Sequence, residues 1–457
     1  MIVNDHGHGG GMGRRAGGIG DNCRFLNDAA CAACGVPSSP VSLDLDRPLK
    51  GDGPVLATAM LPLERRASVS LATIFALRML GLFLILPVFA IEARKYPGGD
   101  DLALVGWAMG IYGLTQAVFQ LPFGMASDHL GRKRVIVAGL LVFAAGSFLA
   151  ALAPNLTWLA IGRGLQGAGA VSAAVTALLA DLTRDEVRTK AMALVGVSIG
   201  AMFAISLVAA PLLVVHTGLS GLFAMTGGLA LFGVAVVIWW VPAEPAQHVT
   251  VPRGRLAEVL RHAPLLRLNF GVFVLHAVQL AMWVVVPAML VKAGLPHANH
   301  WQVYLPALLA SIVVMGGLLF PLERRGYLRA VFLTSIGLIM AVQLGFMLVS
   351  RGDAGLASLS VLLFVFFCGF NVLEATQPSM VSRVAPGHAR GTAMGVYNTL
   401  QSLGFFVGGV AGGWLAKNTG GAGLFVAALL GMLAWLVMAW PMSAVAPKAS
   451  IRAANAG

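Results

Sequence analysis

From residue 71 onward the chain alternates long apolar runs with short polar breaks. A helix needs about 20 apolar residues to cross the hydrocarbon core of a bilayer. Twelve runs reach that length, near residues 71–93, 102–124, 134–153, 156–180, 190–215, 219–241, 268–292, 301–320, 329–349, 355–378, 391–416 and 421–443. The breaks carry turn and charge signals such as YPGGDD, DHLGRKR, APN, HTGLS, GLPHANH and SRGD. The one long break, Pro242 to Arg267, holds four prolines and four arginines and reads as a linker. The pattern predicts an all-α polytopic membrane protein of twelve transmembrane helices, arranged as two six-helix bundles over 67–241 and 268–445. Residues 242–267 join them and 446–457 form a tail.

Residues 1–66 break the pattern. They are Gly-rich, polar, and contain 7 of the 19 acidic residues, with no apolar run of signal-peptide length. The composition predicts disorder, and the sharp change near Leu61 points to Met60 as an alternative start. Cys23, Cys31, Cys34, His6 and His8 follow no zinc-ligand spacing, so no metal is expected.

Composition agrees with the bilayer as solvent. Hydrophobic residues make up 58% and charged residues 11%, against about 25% charged in soluble domains. The net charge of +12 is scattered in small clusters rather than gathered on one stripe, which argues against nucleic acid as a partner. Those clusters alternate between the two sets of loops. Loops 2–3, 4–5, 6–7, 8–9 and 10–11 hold fifteen Lys and Arg, and the opposite loops hold five. The excess predicts that the basic loops and both termini lie in the cytoplasm.

The halves repeat in sequence. Ala191-Met192 of RTKAMALVGVSIG matches Ala393-Met394 of RGTAMGVYNTLQSLG, and LPVFAIEA matches VPAMLVKA with Pro87 against Pro287. The echo of GMASDHLGRKR is LFPLERRGYLR, with Glu323 and Gly326 in the places of Asp128 and Gly131. Such repeats suit a site between two bundles that rock against each other.

The sharpest motif is Gly124-x3-Asp128-x2-Gly131-Arg132-Lys133, followed in the fourth span by Arg163-x2-Gln166-Gly167-x-Gly169. On these motifs the chain resembles the major facilitator superfamily over residues 60–445. Within it the chain is similar to YajR-like inner-membrane transporters, on stretches such as IYGLTQAVFQLPFGMASDHLGRK and FNVLEATQPSMVSR. The resemblance implies that Asp128 faces the start of span 11 and that Arg132 pairs with Asp181, latching the cytoplasmic gate. It also links Arg163 to proton coupling. One departure stands against drug antiport: Gly196 and Gly200 remain in span 5, but the Pro and Gly pair that follow them in drug–proton antiporters are absent.

Few ionisable groups lie within the spans: Arg78, Arg163, His276 and Glu374. Each is costly in a bilayer, by about 2.5–3.5 kcal/mol for a central charge, so each needs a partner or a cavity. Glu374 is the one acid in the middle of a span and shares a helix face with Asn371 and with Gln377 or Pro378. A buried carboxylate is harder to ionise and exchanges protons nearer neutral pH, which makes Glu374 the coupling or substrate candidate. Arg78 offers it a counter-charge or binds an anionic substrate group. His276 joins as a further candidate or is satisfied by a backbone carbonyl. Gln116 and Gln120, and Asn398 and Gln401, fall about one turn apart and, with Gln166, line the cavity or tie helices together.

No hydrolase, metalloprotease or nucleotide-binding motif is present. The expectation is therefore not an enzyme but a proton-coupled exporter of a small, partly hydrophobic compound, working as a monomer without cofactor. Proton-independent metabolite transport and a non-transporting sensor on the same fold are the alternatives.

Overall fold

The computed structural model describes residues 59–244, 256–352 and 355–442. Residues 1–58 of the expected tail, with its cysteines and histidines, the middle of the linker, the C-terminal tail and the side chain of Glu323 lie outside the described residues.

Nine helices among the described residues are long and apolar enough to cross a membrane. Two of them, Glu186–Trp239 and Arg390–Ala439, run for 54 and 50 residues, about 80 Å if straight and over twice a hydrocarbon core. Each contains one glycine with left-handed φ, Gly218 at 63° and Gly420 at 70°, where the helix ends and the next begins. Each is therefore two spans. The fourth span is interrupted at Gly169, Ala170 and Val171, which divides it into Leu156–Ala168 and Ser172–Asp181. With these three accounted for, the described residues hold twelve spans.

Span 1 comprises Pro62–Phe83 and, after a break, Leu86–Glu92. Spans 2 and 3 are Leu102–Leu130 and Arg132–Ala151. Spans 5 and 6 meet at Gly218. In the second half, spans 7 to 10 are Ala263–Lys292, Trp301–Arg324, Leu328–Val349 and Leu356–Val384, and spans 11 and 12 meet at Gly420.

Two expected limits move, and one sequence match is not carried into shape. The first helix begins at Pro62, inside the stretch assigned to the tail, because Glu64 is buried rather than free. Its carboxylate accepts from Leu61 N (2.8 Å) and from Arg184 Nε (2.7 Å), N (3.1 Å) and Nη2 (3.1 Å), which pins the start of span 1 to loop 4–5. The linker is ordered at both ends: Glu244 bonds to span 3, and Leu256–Arg261 is helical ahead of Ala263. Finally, the Pro87 and Pro287 match does not extend to shape. Span 1 breaks before Pro87, whereas span 7 runs through Pro287.

The halves meet through spans 2 and 11. A Cβ added to Gly106 would stand 2.2 Å from the Gly409 carbonyl oxygen, and one on Gly110 2.6 Å from that of Phe406. One on Gly113 would stand 2.4 Å from the Ser402 carbonyl oxygen. Glycine at these points lets the two backbones touch, as small residues do between membrane helices. All three lie in the part of span 2 away from the basic loops. Asp101–Lys417 (2.8 Å) and Glu92–His297 (3.7 Å) close the same end. Toward the basic loops, Gly391 and Gly395 of span 11 and Gly196 and Gly200 of span 5 have nothing within 4 Å of a Cβ position. The close approaches of spans 2 and 11 lie toward one face, and the glycines toward the basic loops have open space beside them.

Candidate functional site

At the basic face, Gly131 ends span 2 with φ 93°, a conformation that a side chain resists. This turn sets Arg132 as the first residue of span 3. Its guanidinium donates to Asp181 Oδ2 (3.1 Å) and Ser127 Oγ (2.8 Å) and forms a close ion pair with Asp128. The Arg132–Asp181 pair implied by the resemblance is thus formed here. Gly124 is not a point of close approach, since its Cβ position lies an ordinary 3.6 Å from Ala173. Glu244, which the pattern left in the linker, accepts from the backbone N of Arg132 (2.9 Å) and Lys133 (2.5 Å). It satisfies two donors at a helix start and sets a negative charge there. Lys133 Nζ reaches the Val241 carbonyl at 2.7 Å.

Inside the first half, both arginines are 2% exposed. Arg78 donates to Ser172 Oγ (2.7 Å) and Tyr112 Oη (2.9 Å), and Arg163 donates to Gln166 Oε1 (3.0 Å) and Met109 O (3.5 Å). The face of Tyr112 lies 5.0 Å from the Arg163 guanidinium, so one tyrosine serves both cations. Gln166 passes the chain of bonds to Ser147 at 2.8 Å. The glycines of the second motif make this possible. A Cβ on Gly167 would lie 2.2 Å from Tyr112 O, and one on Gly169 2.4 Å from Gly139 O. The break after Gly169 places Ser172 at the start of a new helical segment, where its hydroxyl meets Arg78.

In the second half, Glu374 is not the enclosed lone acid that the sequence suggests. Its side chain is 40% exposed and meets two partners, His276 Nε2 at 3.3 Å and Gln401 Nε2 at 3.4 Å. His276 is 2% exposed, held by Val272 O at Nδ1 (2.9 Å) and by Gln401 at Nε2 (2.7 Å), and flanked edge-on by Phe370 and Phe405. Both readings of His276 are therefore met at once, one nitrogen on a backbone carbonyl and the other toward the acid. A neutral ring with its proton on Nδ1 fits both bonds: it donates to Val272 and accepts from the Gln401 amide.

The structure does not bring Arg78 or Arg163 to Glu374. Both arginines are bonded within the first half, and the partners of Glu374 come from spans 7 and 11. Asn371 donates to Ser311 Oγ (2.7 Å), tying span 10 to span 8. Gln377 is fully buried with neither amide atom partnered, and Gln120 is 3% exposed with Oε1 unpartnered. Gln116 and Asn398 are half-buried. Sequence reasoning missed Tyr112, Ser172, Ser311, Glu64, Arg184 and Glu244. Only the two acids carried a signal, since a carboxylate beside a helix start is a recognisable pairing.

Two bundles of six spans meet at a glycine-lined seam, with one motif in loop 2–3 and another in span 4, the architecture of a membrane transporter. The Major Facilitator Superfamily model matches residues 71–409, and the chain belongs to that family. It is 43% identical to the inner membrane transport protein YajR of Escherichia coli (strain K12), over 84% of each chain. It is 26% identical to the multidrug resistance protein MdtH of Edwardsiella ictaluri, over 81% of this chain and 93% of that one. Among solved structures, a bacterial homologue of the human lysosomal transporter Spinster, inward-facing and occupied, superposes with a TM-score of 0.66 at 12% identity. That match covers 84% of this chain and 97% of the other. Membrane embedding and membership of a transporter family follow.

Proposed function

We propose that the chain exports a small, partly hydrophobic compound in exchange for protons, with its basic face and both termini in the cytoplasm. On that orientation the structure is the inward-open state. The observation that supports coupling is the Glu374–His276–Gln401 constellation: a carboxylate reachable by water, 3.3 Å from a buried imidazole. A proton taken up at His276 Nε2 turns that nitrogen from acceptor to donor. It then bonds to Glu374, and Gln401 must turn its amide to offer oxygen. A proton taken up on Glu374 instead removes the negative charge outright. Either event changes the charge where spans 7, 10 and 11 meet, at the edge of the seam.

A proton crossing the membrane supplies about 2.3 kcal/mol per 100 mV, which suffices to drive export where no ATP site is recognised. The relationship to a multidrug resistance protein supports a hydrophobic substrate. The altered glycine pattern of span 5 separates this chain from typical drug antiporters, and its Gly196 and Gly200 face open space.

The test is proton flux in proteoliposomes with an inside-acid gradient, challenged with lipophilic cations, neutral drugs, sugars and organic acids. Proton release triggered by one class, and lost in Glu374→Gln, is the expected result. Substrate movement that is unchanged by the gradient and by Glu374→Gln would leave a facilitator. No movement of any class together with a stable protein partner would leave a sensor.

A further inference from the structure

A second buried cluster lies at the far end of the seam, away from Glu374. His300, immediately before span 8, is 0% exposed, and neither ring nitrogen has a hydrogen-bond partner. His297 stands beside it with ring centroids 5.2 Å apart, its Nε2 also unpartnered. Tyr304 follows one turn later, fully buried, its ring 5.8 Å from His300 and its hydroxyl unpartnered. Across the seam, Glu92 of the first half lies 3.7 Å from His297 Nδ1 and holds Lys95 at 2.7 Å. Arg94 and Tyr96 flank that pair in sequence, Arg94 exposed and Tyr96 half-buried. His216 and Lys292, at the ends of spans 5 and 7 on the same face, are exposed.

We infer that His297 and His300 form a second proton-binding site, in the outer gate, and that proton uptake there opens the gate. The closed seam favours His300 as a neutral ring, because full burial and the second imidazole alongside penalise a charge there by more than the nearby Leu295 backbone offsets. A buried charge without a partner is strongly unfavourable. Protonated His297 would gain Glu92, but burial of the ring and the Lys95 ammonium on the same carboxylate outweigh that attraction. Parting the seam hydrates both rings, so the open gate binds protons better than the closed one, and a ligand shifts an equilibrium toward the state it prefers. Each histidine changes the open-to-closed ratio by at most about tenfold per pH unit. The inference rests on the proposed orientation and on alternating access, not on proton exchange at Glu374.

The experiment uses the full chain with Cys23→Ser, Cys31→Ser, Cys34→Ser and Cys368→Ala, and spin labels at Asp100→Cys and Lys292→Cys, one on each half at the outer face. Electron–electron distances are recorded in nanodiscs from about pH 8 to about pH 5, the range in which histidine titrates. A longer-distance population that grows with acid is expected. It should be retained in Glu374→Gln, reduced in His297→Gln and abolished in His300→Gln, which keeps the closed distribution at the higher pH. If His300→Gln fails to fold, His300→Phe and the His297→Gln pH profile serve the same comparison. An acid response that survives loss of both histidines, or that vanishes in Glu374→Gln, would overturn the inference. So would a distance distribution that is the same at every pH.

Discussion

Gly106 and Gly409 bring spans 2 and 11 into backbone contact: a Cβ on the first would stand 2.2 Å from the carbonyl oxygen of the second. The contact joins the two halves at the face away from the basic loops. On the proposed export cycle it belongs to the state in which that face, the outer one, is shut. Gly413, whose Cβ position lies 2.4 Å from Leu102 O, extends it toward the outer end.

Gly106→Val should accordingly hold the outer face apart. Overpacking costs about 1–3 kcal/mol, enough to move a two-state equilibrium roughly tenfold. Thiol labelling of a cysteine placed on the outer half of span 11 should accelerate, and transport should fall, while detergent-extracted protein keeps its thermal midpoint. Unchanged labelling would show that spans 2 and 11 have room to shift.

The Asp101–Lys417 pair also spans the halves, and both side chains are more than a third exposed. Bonds from Lys417 and the Ala103 backbone hold the Asp101 carboxyl below its ordinary range. A depressed carboxylate pairs fully above its unfolded-state value and lets go only as pH falls through the lower, folded one. Asp101→Asn should therefore have the same small effect on outer-face labelling at about pH 5 as at about pH 8, both above the carboxylate range. A strong pH dependence of that mutant between those values would contradict the assignment. Raised salt should weaken the pair, as for exposed charges generally.

Glu244→Ala removes the acceptor for two backbone N–H groups at the start of span 3. Loss of a helix cap costs about 0.5–2 kcal/mol, and a reduced thermal midpoint with faster proteolysis of the linker is expected. Glu244→Gln, which keeps an acceptor but loses the charge, should recover part of it.

Tyr112→Phe leaves Arg78 Nη2 without its hydroxyl acceptor but keeps the ring face presented to Arg163. Stability should drop by about 1–3 kcal/mol, the scale of a buried polar group left unpaired. Tyr112→Ala should cost more, because Arg163 then loses the ring face as well and a buried aromatic side chain is removed. Equal losses would mean that the ring contact with Arg163 contributes nothing measurable.

The crossings were legible because the bilayer demands apolar runs of fixed length, and twelve such runs stand in the chain with polar or turn-forming breaks between them. The interruption at Gly169–Val171 was not legible, since nothing in GAGAV distinguishes a helix break from small residues inside a helix. Glu64 was assigned to the tail because its burial depends on Arg184, 120 residues away. Glu374, His276 and Gln401 could each be picked out as polar groups in apolar runs, yet the choice of partner could not. That choice depends on how spans 7, 10 and 11 are rotated about their axes, and a helical period read from one span says nothing about its neighbour. The two arginines were legible as cations needing partners; their partner, Tyr112, is aromatic and passes for core.

Gly218 and Gly420 stand 202 positions apart, the offset that also relates Ala191 to Ala393, and both adopt nearly the same backbone angles. The two hairpins are thus copies of one component, inherited along with the sequence repeat. Each half holds six spans, so both keep one orientation, and the axis that relates them runs along the membrane normal, exchanging the halves but not the faces. The halves differ in what they carry: two caged cations on one side of the seam, and an imidazole with its carboxylate on the other.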